Sequence, residues 1–331
     1  MNHAVLTPAR RRRALLALAA ALGVVLVGAV LVGPDGVSAT ILDDTTVLRL
    51  RLSRVVLAAV VGAGLAVTGG ALQATLHNPL ADPYVLGVSG GAAMGGAIAV
   101  ALGAAAAGVG LHAAAAAGAF LATGLLAWFL ARDHSGRAET PLLVGVTLNA
   151  FSWALVSVVR ATVSAEKTQT LSVWLIGTLG YPAPLDLGIA AAVTALGIAL
   201  LVSRAGDLSL LKAGDDEAAR LGVDVARARL AIYAAASLLV GVAVSTSGVI
   251  GFLGLIAPHA VRLTIARDER LALPASALVG AAALVLFDAL ARGSFAVFDS
   301  EIPTGALCAI IGAPLFAVGL WRKVASAGGR P

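Results

Sequence analysis

Charge is scarce in this sequence. Only 12% of its 331 residues are Asp, Glu, Lys or Arg, about half of the ~25% usual in a soluble domain, too few to cover a surface made for water. Cysteine is nearly absent as well: Cys308 is the single one, inside an apolar run, which excludes a disulfide framework and a cysteine metal site. The five histidines, His3, His77, His112, His134 and His259, fall at no ligand spacing, so no metal site is expected. A G-x-x-x-x-G-K-[ST] phosphate loop is missing, as are a Ser-His-Asp set and a paired-carboxylate constellation. The chain therefore reads as neither an ATPase nor any other enzyme, with no catalytic residue and no cofactor of its own.

What fills the chain is 59% hydrophobic residue, with a mean hydropathy of +0.95. The apolar runs approach the ~20 residues one helix needs to cross a bilayer core. The run from Ala14 to Gly33 shows none of the period-two alternation of a membrane barrel. The expected fold is all-α and integral to the membrane. One transmembrane domain over 1–331 carries ten helices near 14–33, 52–76, 85–103, 109–131, 141–163, 188–203, 230–249, 253–266, 272–291 and 303–321. Arg10 to Arg13, an apolar stretch and Val37-Ser38-Ala39 imitate a cleaved signal, but the run from Ala14 to Val32 exceeds the ~7–15 residues of a signal h-region. It reads as a retained first helix after a basic segment at 1–13.

A net charge of +5 does not require nucleic acid, because the basic residues lie between the apolar runs. With ten spans, 17 of them fall on the side of the termini and six on the other: Arg49, Arg51, Arg54, Arg160, Lys167 and Arg292. Positive-inside bias then places both termini and the 204–229 connector in the cytoplasm of a bacterial inner membrane. Laying Arg49-Leu50-Arg51-Leu52 on Arg227-Ala228-Arg229-Leu230 brings Gly64 to Thr68 near Gly241 to Ser245, which suggests an inverted repeat of helices 2–5 and 7–10.

Three polar or broken stretches stand out. Asp215-Asp216-Glu217-Ala218-Ala219-Arg220-Leu221-Gly222 has acids early, a base late and a glycine stop, the pattern of a short helix. It serves either as a solvated connector or as a coupling helix whose small Ala218 and Ala219 let a cytoplasmic ATPase approach. Ser247 to Arg262 reads SGVIGFLGLIAPHAVR: Gly248, Gly251 and Gly254 allow close packing, and Pro258 frees a carbonyl. Taken alone, His259 there is best read as a capped or interfacial residue of a kinked packing helix. Asn78-Pro79-Leu80-Ala81-Asp82-Pro83 ends the second span and redirects the chain, with Asn78 placed to satisfy freed backbone groups.

In chain order the sequence has RLSR at Arg51 to Arg54, NPLADP, LGVSGGA, LLVGVTLNA at Leu142 to Ala150, WLIGTLG at Trp174 to Gly180, EAARLGV, SGVIGFLGLIAPHAVR and EIPTGALCAIIGAPLF at Glu301 to Phe316. Together these resemble the iron-siderophore and vitamin B12 permease family of ABC importers, from the second span almost to the end; Thr178 stands where that family commonly has serine. The resemblance implies ten helices per subunit and a second permease subunit, identical or paralogous. It also implies two cytoplasmic ATPase subunits that bind ATP and magnesium, and a binding protein that delivers a ferric siderophore, haem or cobalamin. It implies that Glu217, Ala218, Ala219, Arg220 and Gly222 couple to the ATPase. Arg51, Arg54 and Arg292 would dock the binding protein. Thr147, Asn149, Ser152, Thr304 and Cys308 would lie along the pathway. Asn78, Pro79, Gly251, Gly254, Pro258, His259 and Pro303 belong to its structural motifs. The rival reading is a secondary transporter driven by an ion gradient, which usually carries ionisable groups mid-span; here Asp288 and Arg292, near an outer end, are the notable candidates.

Overall fold

The computed structural model describes residues 8–34, 36–37, 44–103, 109–132, 140–266 and 268–327. Residues 1–7 of the basic segment, His3 among them, and Asp35, Asp43, His134, Arg137, Arg267 and Arg330 lie outside the described residues.

Helix α1 (Pro8–Leu31) leads into a minimal ribbon, β1 (Val32–Gly33) paired antiparallel with β2 (Gly36–Val37). Next come α2 (Thr45–Thr75), a 3₁₀ turn at Pro83–Leu86, α3 (Val88–Ala101), α4 (Val109–Arg132), α5 (Thr140–Thr162) and α6 (Ala165–Ile176). Helices α7 (Pro184–Ser203), α8 (Ala205–Leu211), α9 (Asp215–Arg220) and α10 (Val225–Ser247) follow. The chain closes with α11 (Leu253–Thr264), α12 (Glu269–Gly293), α13 (Phe295–Phe298) and α14 (Thr304–Ala327).

Each of the ten expected spans lies on a helix. Among the described residues, seven of these helices, α1, α2, α4, α5, α7, α10 and α12, are long and apolar enough to cross a membrane. The other three are α3, α11 and α14. Helix α11 has 12 residues and α3 has 14, hence lengths of about 18 and 21 Å against a hydrocarbon core of about 30 Å. The second span begins earlier than its apolar run: Asp44 accepts from the amides of Thr46 and Val47 and caps α2 at Thr45. Arg49 and Arg51 thus stand on the same helix as Arg54 rather than in a connecting loop. The 204–229 connector is also more structured than expected, holding α8, α9 and the first turn of α10.

The core is built around α2, of whose most apolar stretch 78% is buried, against 11% for α1. Helix α2 packs on α12, α11, α10 and α7, while α3 pairs with α4 and α5. Small residues permit the closest crossings: a Cβ at Gly62 would overlap the Gly280 carbonyl on α12, and one at Gly69 would overlap the Gly254 carbonyl on α11. Helices that cannot rely on water to drive them together gain from such close backbone approach.

Candidate functional site

Two polar ends and one central break organise the bundle. At the end where α2 finishes, α8 and α9 form a corner on the surface. Helix α9 stops in a Schellman arrangement: the Val223 amide donates to the Ala218 carbonyl (3.0 Å) and the Gly222 amide to that of Ala219 (3.0 Å), with Gly222 at φ +90°. The Arg229 Nη2 donates to Asp215 at 2.7 Å and fastens α9 to α10. Asp216, Glu217, Ala219 and Arg220 are exposed, whereas Ala218 is buried against the hydrophobic cluster of α8 and α10. Of the two alanines expected to admit a partner, only Ala219 is exposed. Ala218 belongs to the protein's own packing, because successive helical residues point about 100° apart. An open cleft of about 560 Å³ next to α9 is lined by His77, Asp215, Asp216, Glu217 and Arg220.

Just inside that corner lies a buried charged group. The Glu269 side chain, wholly buried at the start of α12, accepts from Lys212 Nζ (2.8 Å) and from Arg262 Nε (3.3 Å) and Nη2 (3.1 Å). Arg262 also donates to the Gly70 carbonyl (2.8 Å) and to the Gln73 side chain, and Gln73 Nε2 donates to the Gly254 carbonyl (3.1 Å). Sequence reading singled out Gly254 as a packing glycine but not Glu269, Lys212 or Gln73; the chemical signal available was an acid at the first turn of a long apolar helix.

At the opposite end Arg51, Arg54 and Arg292 do gather, but they do not form an exposed cluster. Arg54 and Arg292 are only 4% and 1% exposed. Arg54 Nε donates to Asp288 Oδ1 (2.9 Å) and its Nη2 to Glu301 (2.8 Å), with the Tyr181 ring stacked at 5.3 Å. Arg292 Nε donates to Asp288 Oδ2 (3.0 Å), and its other nitrogens to the carbonyls of Val32 (2.6 Å) and Ala29 (2.9 Å). Arg51 is half-buried and donates to the carbonyls of Val30 (3.3 Å) and Leu31 (3.4 Å). The three arginines expected to meet a binding protein are therefore half-buried at Arg51 and buried at Arg54 and Arg292. Asp288 lies one turn from Arg292 on α12 and faces Arg54 on α2, so the charges close on one another, and Glu301, 33% exposed, is more accessible than Arg54, Asp288 and Arg292.

The central break joins the two irregular stretches. Asp82 caps the 3₁₀ turn by accepting from the Tyr84 amide (2.9 Å), and burial pushes its carboxyl up to about 6 against that hydrogen bond. Tyr84 Oη accepts from the Ile250 amide (2.8 Å), and a Cβ at Gly254 would meet the Pro83 ring. Asn78 accepts from the Leu80 amide through its side chain (2.9 Å), turning the chain at Pro79. Gly251 has open space around its Cα, Pro258 lies inside α11, and His259 packs its ring edge-on to Phe316. The segment after α6 ties in here: the Thr178 amide donates to the Ser247 carbonyl and the Gly305 amide to that of Gly177, both at 2.9 Å. Pro303 immediately precedes α14, and its carbonyl accepts from the Leu307 amide (3.2 Å).

Of the five pathway candidates, Thr147 alone is exposed. Asn149 is half-buried with its Nδ2 near the Tyr84 carbonyl (3.4 Å), and Ser152, Thr304 and Cys308 are buried at 4%, 1% and 1%. Ser152 is turned towards α3, where a Cβ at Gly90 would meet it, and Thr304 and Cys308 towards the core around α2 and α12. Among the described residues no group of three or more His, Cys, Asp or Glu could hold a metal ion.

Residues 15–322 match the FecCD transport family. The chain is 40% identical over 267 residues to the cobalamin import system permease BtuC of Halobacterium salinarum, covering 81% of this chain and 71% of that one. It is 38% identical over 277 residues to the hemin transport system permease HmuU of Yersinia pestis (83% and 81%). Against the Fe(3+) dicitrate transport system permease FecC of Escherichia coli the identity is 35% over 284 residues (83% and 82%). A solved structure described as an inward-facing conformation of a metal-chelate type ABC transporter superposes with a TM-score of 0.85 at 31% identity, over 94% of this chain and 99% of that one.

Proposed function

We propose, from the premise that the chain belongs to the FecCD transport family, that it is the membrane permease of an ABC importer for an intact metal chelate: a ferric siderophore, haem or cobalamin. A binding protein delivers the chelate at the α13 end, two ATPase subunits drive the cycle from the α9 end, and a second permease subunit, identical or paralogous, completes the pathway. The observation that carries the reading is α9 itself: a short surface helix, stopped by its own cap and pinned by Arg229, that presents Glu217, Ala219 and Arg220 outward. A solvated connector would not need such fixing.

The ten-helix topology and the inverted repeat belong to this proposal. Their support is that a long buried helix, a break and a short helix occur twice, as α2, 78–87 and α3 and again as α10, 248–252 and α11, and that the two breaks are joined by the Ile250 amide donating to Tyr84 Oη. In the docking reading Arg51 serves the binding protein directly, and Arg54 does so by exchanging Glu301 for an acidic group of the partner. Thr147 and Asn149 keep a place by the pathway. Ser152, Thr304 and Cys308 support it from behind.

Vesicles holding this permease with its ATPase should accumulate ferric siderophore, haem or cobalamin only with ATP and a loaded binding protein, and ionophores that collapse proton and sodium gradients should leave uptake intact. Uptake that follows an ion gradient and ignores ATP would defeat the proposal. Orientation is checked separately in intact cells with an impermeant thiol reagent, with little background from the buried Cys308. A cysteine replacing Arg49 should be labelled from outside and one replacing Glu217 should not; the reverse pattern would invert the topology.

A further inference from the structure

A coupling helix has to move something, and the connections behind α9 define what it can pull. Lys212 sits three residues ahead of α9, at the corner that α8 and α9 share. Its Nζ reaches Glu269, a carboxylate with no exposure to water, at 2.8 Å. The same carboxylate holds both Nε and Nη2 of Arg262 from the last turn of α11. Arg262 in turn grips α2 through the Gly70 carbonyl and Gln73, and Gln73 reaches back to the Gly254 carbonyl in the first turn of α11. Gly254 lies against the Pro83 ring, where the two broken stretches meet. A continuous chain of contacts therefore runs from the α9 corner, across the first turn of α12, to the central break: charge-assisted bonds from Lys212 through Glu269 and Arg262 to Gln73, then the neutral Gln73–Gly254 bond and the packing of Gly254 on Pro83. A second tie, from a His77 ring nitrogen to the Leu211 carbonyl, joins the end of α2 to the same corner.

We infer that Glu269 is a positioning residue for transport, the hub through which displacement of the α8–α9 corner is passed by Lys212 and Arg262 to α2, α11 and the central break. This rests on the reading of α9 as the ATPase-facing helix and deepens it. A wholly buried carboxylate shared by two cations on different elements suits the role. Charge-assisted bonds are short and directional, so Glu269 and its two cations should shift together, and removing the shared acid leaves Arg262 without its carboxylate. The arrangement also explains why a charge is retained where a leucine would pack: a purely apolar contact would let the corner slide.

The test uses the complete reconstituted complex of permease, ATPase and loaded binding protein. It compares wild type with Glu269→Gln, Lys212→Met and Lys212→Arg. Lys212 has a side chain 39% exposed, and Arg262 still holds Glu269 in its absence, so Lys212→Met is expected to fold even where Glu269→Gln does not. The expected result is that Lys212→Met assembles with the ATPase as wild type does and hydrolyses ATP, yet imports at least about fivefold less substrate per ATP. Lys212→Arg should restore the ratio. Glu269→Gln, where it assembles, should uncouple at least as strongly. A wild-type ratio of import to hydrolysis in Lys212→Met would overturn the relay, and so would a defect confined to assembly. If the wild-type complex itself showed no ATP-driven uptake, the functional reading would fall instead, which separates the two failures.

Discussion

Replacing Ala219 with arginine is expected to reduce ATP-driven uptake at least about tenfold while leaving the amount of permease in the membrane unchanged. Ala219 is exposed on α9, and its methyl group leaves the closest approach open to a partner surface. An arginine there adds a long charged side chain to the face that the proposed ATPase contact would cover. A tenfold loss of function corresponds to about 1.4 kcal/mol, well within the cost of forcing a charge between two packed surfaces. The neighbouring position supplies the control. Ala218 is buried with no exposure in the protein's own core, so Ala218→Leu should act through overpacking, which costs about 1–3 kcal/mol, and lower the amount of folded permease. Contrasting phenotypes at adjacent residues would separate a docking face from a packing face. Normal uptake by Ala219→Arg, with unaltered stimulation of the ATPase, would remove α9 from the interface.

That contrast also marks how far the sequence could be read. Helix positions were legible because an apolar run bounded by Pro, Gly or charge has one stable solution in a bilayer, and all ten expected runs lie on helices. Helix ends were less so. Arg49, Arg51 and Arg54 interrupt the hydropathy of α2 but not its backbone, since Asp44 caps the helix well ahead of the apolar stretch. The stop at Gly222 was visible because a glycine in the left-handed region leaves a local mark. Which way Ala218 points was not, since a six-residue helix shows too little periodicity. The charged networks were hidden for a different reason. Arg54 and Asp288 are 234 positions apart, and Gln73 and Gly254 181. Only the folded arrangement of α2 against α11 and α12 brings them together, and a tally of charges by side treats each as solvated.

The outer network leads to the largest expected change in stability. Asp288→Ala should lower the unfolding temperature of the permease by at least about 6 °C. Asp288 is wholly buried and its two oxygens are divided between Arg54 Nε (2.9 Å) and Arg292 Nε (3.0 Å). Removing the carboxylate leaves two guanidiniums, 4% and 1% exposed, without their shared anion. Breaking a buried pair from one side costs about 3–5 kcal/mol, and roughly 2 °C per kcal/mol is the scale for a large domain. The damage should also reach α1, because the Arg292 nitrogens that hold the Ala29 and Val32 carbonyls depend on Asp288 to fix the guanidinium. Glu301→Gln is the gentle comparison. Its side chain is 33% exposed, a position where ion pairs contribute about 0–1 kcal/mol, so its melting point should move little. Replacing all three members of the core at once, as Arg54→Met, Asp288→Leu and Arg292→Met, should recover a large part of the stability lost by Asp288→Ala alone, since a buried triad can be exchanged for well-packed apolar groups. Thermal unfolding of the purified permease in lipid nanodiscs reads all three comparisons. A melting point for Asp288→Ala within about 2 °C of wild type would mean that water or lipid headgroups already satisfy Arg54 and Arg292, and that the network does not hold this end of the bundle together.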